Sequence, residues 1–201
     1  MTDFRNTSII ELAAIVANHL NQHDIKVVLV GGLAVEIYSE NLYLTKDIDM
    51  VNTSYDSAGP LKQAMSELGF EKQGRVFIND STEICVEFPS APLAIGDEII
   101  KETTVAQSQN GDIPILFASD VIKDRLLAYF HWQDRPSLVQ ALAIMKNHII
   151  SPEELKAFCE NEGEEGEYDF IAGLHETAMK QNMNSMLDLE IMVRNEFLKR
   201  L

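Results

Sequence analysis

The chain has 201 residues, 46% hydrophobic and 24% charged, with 16 Lys and Arg against 32 Asp and Glu for a formal net charge of −16. This length can bury one sizeable core, or a compact α/β core plus a helical appendage, and the composition excludes wholesale disorder. So acidic a chain has little general attraction for nucleic acid, because that binding depends on clustered Lys and Arg releasing counterions from phosphate.

No apolar run approaches the roughly 18 residues needed to span a bilayer, and Met1-Thr2-Asp3-Phe4-Arg5-Asn6 lacks the basic-then-apolar order of a signal peptide. No membrane partner and a cytoplasmic address are therefore expected. Cys85 and Cys159, without CxxC spacing, read as small buried or half-buried thiols and not as a disulfide or a zinc site. His19 and His23 are four apart and can share a helix face, but no third ligand stands near them, so a solvated helix edge is expected.

In chain order, Ile9, Ile10, Leu12, Ala13, Val16, Ala17 and Leu20 recur at helical spacing behind Thr7 and Ser8, either of which can cap the helix. Lys26 to Val30 is a short β-branched run that stops at Gly31-Gly32, with a helical stretch from Leu33 to Tyr38. Asp47 to Val51 alternates acid and apolar residues, and Ala58 to Leu68 reads as a helix closed by Gly69. Arg75 to Ile78 and Glu83 to Phe88, joined by Asn79-Asp80-Ser81, predict an antiparallel hairpin ended by Pro89 and Pro92. Residues 98–107 and 113–117 are candidate edge strands.

From Ser119 the pattern turns helical: 119–132, 136–148, 152–161, and one or two more helices between 167 and 200. Ser119 and Ser151 are candidate caps, and Pro136 and Pro152 fall where a first helical turn tolerates proline. The expected division is an α/β domain over 1–118 and a helical domain over 119–201. Residues 151–170 hold eight acids against Lys156, and Glu162-Gly163-Glu164-Glu165-Gly166 reads as a solvated loop between helices.

The chemistry-bearing residues lie in the first part. On a strand, Asp47 and Asp49 face the same way while Ile48 points to the core, and paired carboxylates suit a hard cation such as Mg²⁺ or Mn²⁺. Gly31-Gly32 at a strand-to-helix turn would let a triphosphate approach backbone N–H groups, although a tight turn alone also explains the glycines. Glu83, Cys85 and Glu87 share one face of the hairpin, and Glu87 is a candidate general base or further metal ligand; the plain alternative is a surface glutamate on an edge strand.

Gly31-Gly32, then Thr45-Lys46-Asp47-Ile48-Asp49, then Val86-Glu87-Phe88 is similar to the three-part signature of the nucleotidyltransferase superfamily that includes DNA polymerase beta, aminoglycoside nucleotidyltransferases and bacterial toxin nucleotidyltransferases. The resemblance covers roughly Lys26 to Pro89. It implies an α/β (α+β) fold, a small mixed sheet flanked by helices, with metal on Asp47, Asp49 and Glu87. It further implies transfer of a nucleoside monophosphate from a nucleoside triphosphate, with release of pyrophosphate.

Asp120 to Leu126 and Trp132 to Arg135 resemble the Lys-bearing helix and following Arg/Asp segment of small bacterial relatives, some of them toxins of toxin–antitoxin systems. On that likeness the helical domain closes over the site, and Gly31, Gly32, Thr45, Lys46, Lys123 and Arg125 are expected at the nucleotide. A structural ion pair, with Asp134 or Glu87, is the alternative for Lys123 and Arg125. Many relatives carry a basic residue two positions before the Thr of the second motif; Tyr43 stands there, leaving Lys46 as the nearest positive charge. His131 and Trp132 could stack on a base or serve as core.

The acceptor is open among protein, RNA and small molecule, with RNA disfavoured by charge. The rival readings are a lapsed enzyme that binds nucleotide without turnover, and a toxin–antitoxin-type component that binds a cognate protein.

Overall fold

The computed structural model describes residues 3–54 and 58–200. Among these residues the chain forms eight helices and nine strands, in two compact units: Met1–Ala34 with Leu44–Phe117, and Val35–Tyr43 with Ala118–Leu201.

The first unit opens with α1 (Ile9–Gln22). Ser8, and not Thr7, is its cap: the Ser8 hydroxyl accepts from the Glu11 N–H, and the Glu11 carboxylate accepts from the Ser8 N–H, so two otherwise unpaired donors are satisfied reciprocally. Strand β1 (Val27–Val30) runs straight into α2 (Gly31–Tyr38), which begins two residues earlier than the sequence pattern suggests. Then come β2 (Asp47–Asn52) and α3 (Ala58–Glu67), after which Gly69 adopts φ +84 and turns the chain, as expected of a residue just past a helix end.

The predicted hairpin forms from β4 (Val76–Ile78) and β5 (Cys85–Glu87), antiparallel, with Val76 opposite Glu87. Three exposed residues, β3 (Glu71–Gln73), add a strand that the sequence pattern does not announce, because none of them is apolar. Strands β6 (Ala94–Ile95) and β7 (Glu98–Ile99) form a separate two-stranded ribbon, and β8 (Thr104–Ser108) pairs with β9 (Gly111–Ile115).

The main sheet has the order β3-β4-β5-β2-β1-β9-β8 and is mixed: β2 runs antiparallel to β1 and parallel to β5, and β9 runs parallel to β1. Two edge-strand expectations are corrected by this order. The strand within 113–117 is internal, between β1 and β8, because Ile113 and Ile115 are wholly buried and need neighbours on both sides. Glu87 is also on an internal strand, between β4 and β2. Helix α1 lies against β1, β8, β9 and α3. Its Leu12, Val16 and Leu20 are fully buried, as are Leu29, Ile48, Met50 and Val86 of the sheet.

The second unit contains the later part of α2 and five helices: α4 (Ala118–Trp132), α5 (Arg135–Met145), α6 (Pro152–Asn161), α7 (Glu167–Lys180) and α8 (Met186–Lys199). Ser119 lies inside the first turn of α4 and is not its cap, whereas Ser151 accepts from the Glu154 N–H at 3.1 Å and does cap α6. Helix α5 is the central one, buried along Ser137, Leu138, Val139 and Ala141 to Met145, with α4, α7 and α8 around it. Residues 162–166 form the loop between α6 and α7. Among the described residues no helix is long and apolar enough to cross a membrane.

A three-residue network ties this unit together. Tyr129 of α4 donates its hydroxyl to Glu167 at 2.6 Å, and Arg200 donates to both oxygens of the same carboxylate at 2.8 and 3.1 Å while lying over the Phe170 ring. Burial by itself would raise the Glu167 carboxyl, but the hydrogen bonds from Arg200 and Tyr129 outweigh it and hold the group below its ordinary value. A carboxylate lowered in the folded state contributes stability that is present at neutral pH and is lost as pH falls through its folded-state value. Glu167→Ala leaves the buried Tyr129 hydroxyl without its acceptor, so urea unfolding at pH 7 should show a loss of about 1–3 kcal/mol. The gap between variant and parent should narrow as the pH is taken below about 4.

Candidate active site

Two strands and one turn build the acidic site of the first unit. Along β2 the side chains alternate, so Ile48 is wholly buried while Asp47 is exposed and Asp49 half-buried on the other face. Strand β5 runs parallel beside it in a register that sets Asp47 opposite Cys85, Ile48 opposite Val86 and Asp49 opposite Glu87. Adjacent strands lie about 4.8 Å apart, so Asp47, Asp49 and Glu87 share one face at the spacing of neighbouring chains.

The third element is the β1–α2 turn. Val30 pairs with Asp49 across the antiparallel ladder, and the next residue, Gly31, has φ +65. A Cβ placed on Gly31 would sit 2.4 Å from Asp49 Oδ2. Glycine is therefore required twice over, for the left-handed backbone and for the close approach of the carboxylate. Gly32 follows in the first turn of α2, where backbone N–H groups have no partner within the helix.

Three local interactions hold the acids. Arg75, just before β4, donates to Glu87 Oε1 through Nε at 2.9 Å and through Nη2 at 2.7 Å. Arg75 is 87% exposed and Glu87 24%, so this pair is screened on one side only. The Cys85 thiol donates to Asp47 Oδ1 at 2.8 Å; burial, then the hydrogen bond and charge of Asp47, push it up to about 11, so it stays protonated at neutral pH. Thr45 Oγ1 accepts from the Asp47 N–H at 3.2 Å and fixes the entry to β2.

Of the residues predicted from sequence, Gly31, Gly32, Thr45, Asp47, Asp49 and Glu87 come together here. Lys46 forms an exposed ion pair with Glu83 at 2.5 Å, which accounts for the charge on both sides of the β2–β5 entry. Lys123 and Arg125 lie on α4 in the second unit. There Lys123, 16% exposed, pairs with Glu154 at 2.7 Å, and Arg125 pairs with Asp124 and reaches Gln140. Asp134 accepts from the Ser137 hydroxyl, and Glu87 pairs with Arg75. His131 pairs with Glu162, and Trp132 is 77% exposed and so is not core.

Sequence reasoning missed Arg75 and the Cys85 contact. Cys85 shares a face with Glu87 by simple alternation, but its meeting with Asp47 depends on the β2–β5 register, which no local pattern encodes.

Gly31→Ala should destabilise the chain by about 1–3 kcal/mol in urea unfolding, since a left-handed non-glycine residue costs about 1–2 kcal/mol before the contact with Asp49 is counted. In an Asp49→Ala background the contacts with Oδ2 and Cγ disappear, and the backbone cost and the 3.1 Å approach to the residue-49 Cβ are left. The double-mutant cycle should therefore return a coupling of at least about 0.5 kcal/mol. Additivity of the two substitutions would show that the close approach is not felt.

No known family model and no curated protein matches the chain. Among solved structures it is similar to the antibiotic-resistance factor ANT(2'')-Ia, whose solution structure covers 84% of this chain and is itself covered over 96% of its length, at 12% identity and a TM-score of 0.51. At that identity the likeness speaks for the fold. The chain has a mixed α/β fold with a seven-stranded sheet, consistent with the nucleotidyltransferase-like fold that the resemblance over Lys26 to Pro89 implies.

Proposed function

We propose that the chain is a metal-dependent nucleotidyltransferase that moves a nucleoside monophosphate from a nucleoside triphosphate to a hydroxyl acceptor and releases pyrophosphate. The observation that carries this reading is the β2–β5 register, which sets three carboxylates on one face beside a glycine turn at a helix start. The fold similarity to an antibiotic-resistance nucleotidyltransferase supports nucleotide transfer in general terms.

The donor set consists of carboxylate oxygens, which suits Mg²⁺ or Mn²⁺ better than a soft metal. Such an ion, held by Asp47, Asp49 and Glu87, would neutralise charge on the triphosphate and orient it. The chain's own residues do the rest. Gly31 and Gly32 leave room for phosphate at the first-turn N–H groups of α2. Thr45 keeps Asp47 in place, and Arg75 offsets the charge of Glu87, so the three acids are held together at lower mutual repulsion. Lys46 is an exposed cation beside the strand entry that a phosphate can draw from Glu83. The acceptor hydroxyl attacks the α-phosphate in line, and its proton passes to a carboxylate of this set.

The net charge favours a small hydroxyl compound or a protein side chain over RNA as acceptor. Three carboxylates on one face favour turnover over a lapsed enzyme or a pure interaction protein.

Pyrophosphate release with each nucleoside triphosphate and Mg²⁺, across a panel of hydroxyl acceptors, tests the activity. Asp47→Asn and Asp49→Asn should each lower it by at least about 100-fold and abolish Mg²⁺-dependent nucleotide binding in calorimetry, with circular dichroism unchanged. Equal Mg²⁺–nucleotide affinity in both variants and the parent would remove the metal role.

A further inference from the structure

His19 and His23 of α1 do have a third ligand beside them, contrary to the expectation from sequence: Glu67, at the last position of α3. It is 44 residues from His23 and arrives only because α1 and α3 pack together. One ring nitrogen from each histidine and one carboxylate oxygen of Glu67 lie within 4.8 Å of one another.

The hydrogen bonds around this cluster specify which ring nitrogen of each histidine faces a carbonyl. His23 Nδ1 lies 2.9 Å from the His19 carbonyl oxygen, and a carbonyl can only accept, so Nδ1 carries the hydrogen. In the neutral ring Nε2 then holds the lone pair, and it lies 2.9 Å from Glu67 Oε2, another acceptor. Two acceptors at that distance need either a proton or a metal ion between them. His19 Nε2 likewise lies 2.9 Å from the Ala64 carbonyl oxygen, which leaves the lone pair of its neutral ring on Nδ1. Backbone carbonyls that fix one nitrogen of each ring in this way are the usual outer partners of metal-ligating histidines. The Gln63 amide donates to Glu67 Oε1 at 3.3 Å and so occupies the carboxylate oxygen that does not face His23.

From this arrangement we infer that His19, His23 and Glu67 form a second metal site, for a divalent transition ion of the zinc class, that links α1 to α3. Two imidazoles and one carboxylate suit Zn²⁺, with the fourth position left to water or an external ligand. Zinc–donor bonds of about 2.0–2.2 Å set tetrahedral donors about 3.4 Å apart, so donors already within 4.8 Å of one another have little more than about 1 Å to close, and Glu67 is exposed and able to move toward the two rings. The site is chemically distinct from the Asp47, Asp49 and Glu87 set, which offers oxygen alone. Bound metal joins two helices of the same unit and therefore stabilises the folded chain by mass action.

The 201-residue chain carrying Asp47→Asn and Asp49→Asn is the suitable background, because the other carboxylate set then contributes little. Calorimetric titration with Zn²⁺ should give one equivalent bound. Co²⁺ should show visible absorption of tetrahedral intensity, and the thermal midpoint should rise with Zn²⁺ and fall back with EDTA. His23→Ala, Glu67→Gln and His19→Gln should each weaken binding by at least about tenfold. The two conservative variants keep the proposal testable if His23→Ala fails to fold. Undiminished zinc affinity in Glu67→Gln and His19→Gln would overturn it. So would the lack of binding at about 1 mM Zn²⁺, which would leave the His23–Glu67 contact as a proton-bridged ion pair alone.

Discussion

Parallel hydrogen bonding between β2 and β5 sets Asp47 beside Cys85 and Asp49 beside Glu87, and the same ladder sends Ile48 and Val86 into the core. Because side chains alternate with a period of two, a slip of one residue would bury the carboxylates and expose the apolar pair. Burial of Ile48, Met50 and Val86 therefore enforces the register, and the register assembles the site. The hydrophobic core and the acidic face are two sides of one constraint.

Gathering three carboxylates has an electrostatic cost, and the first unit offsets it with neutral and positive groups of different kinds. Arg75 brings a full charge to Glu87 from the adjacent hairpin strand. Cys85 brings a thiol hydrogen to Asp47 without adding charge, and stays a thiol because burial and the nearby acids oppose its ionisation. Gly31 contributes by having no side chain, which lets Asp49 Oδ2 come in over the helix start. The positive end of a helix near a carboxylate, or near a phosphate, is favourable in the same sense.

The second unit solves a separate problem, that of holding α4, α7 and α8 around one almost fully buried helix, α5. Its charged residues are used locally. Glu167 joins Tyr129 to Arg200, Lys123 joins α4 to α6 through Glu154, and Arg135 lies over Phe197. Local pairing of this sort lets a strongly acidic segment such as 151–170 pack, since the acids nearest the helices have basic or hydroxyl partners while the rest stay in water.

Most of the elements were legible from sequence because each has a local cause. Periodic apolar residues predict α1 and the C-terminal helices, the pair Thr7 and Ser8 holds the cap of α1 and Ser151 caps α6 as expected, and the β-branched run at Val27–Val30 ends where Gly31 allows φ +65. The candidate acids were legible for the same reason: alternation alone places Asp47 with Asp49, and Cys85 with Glu87. Three further features, besides the Arg75 and Cys85 contacts, were not legible. Strand β3 has no apolar residue to mark it, and β9 looked like an edge because its parallel partner β1 lies some 80 residues away in the chain. Glu67 reaches His23 only through the packing of two helices. Sequence by itself determined which side chains share a face within each strand or helix, since that follows from backbone geometry over a few residues. Only the tertiary structure decided which faces meet, because strand register and helix packing are set by burial summed over residues far apart in the chain.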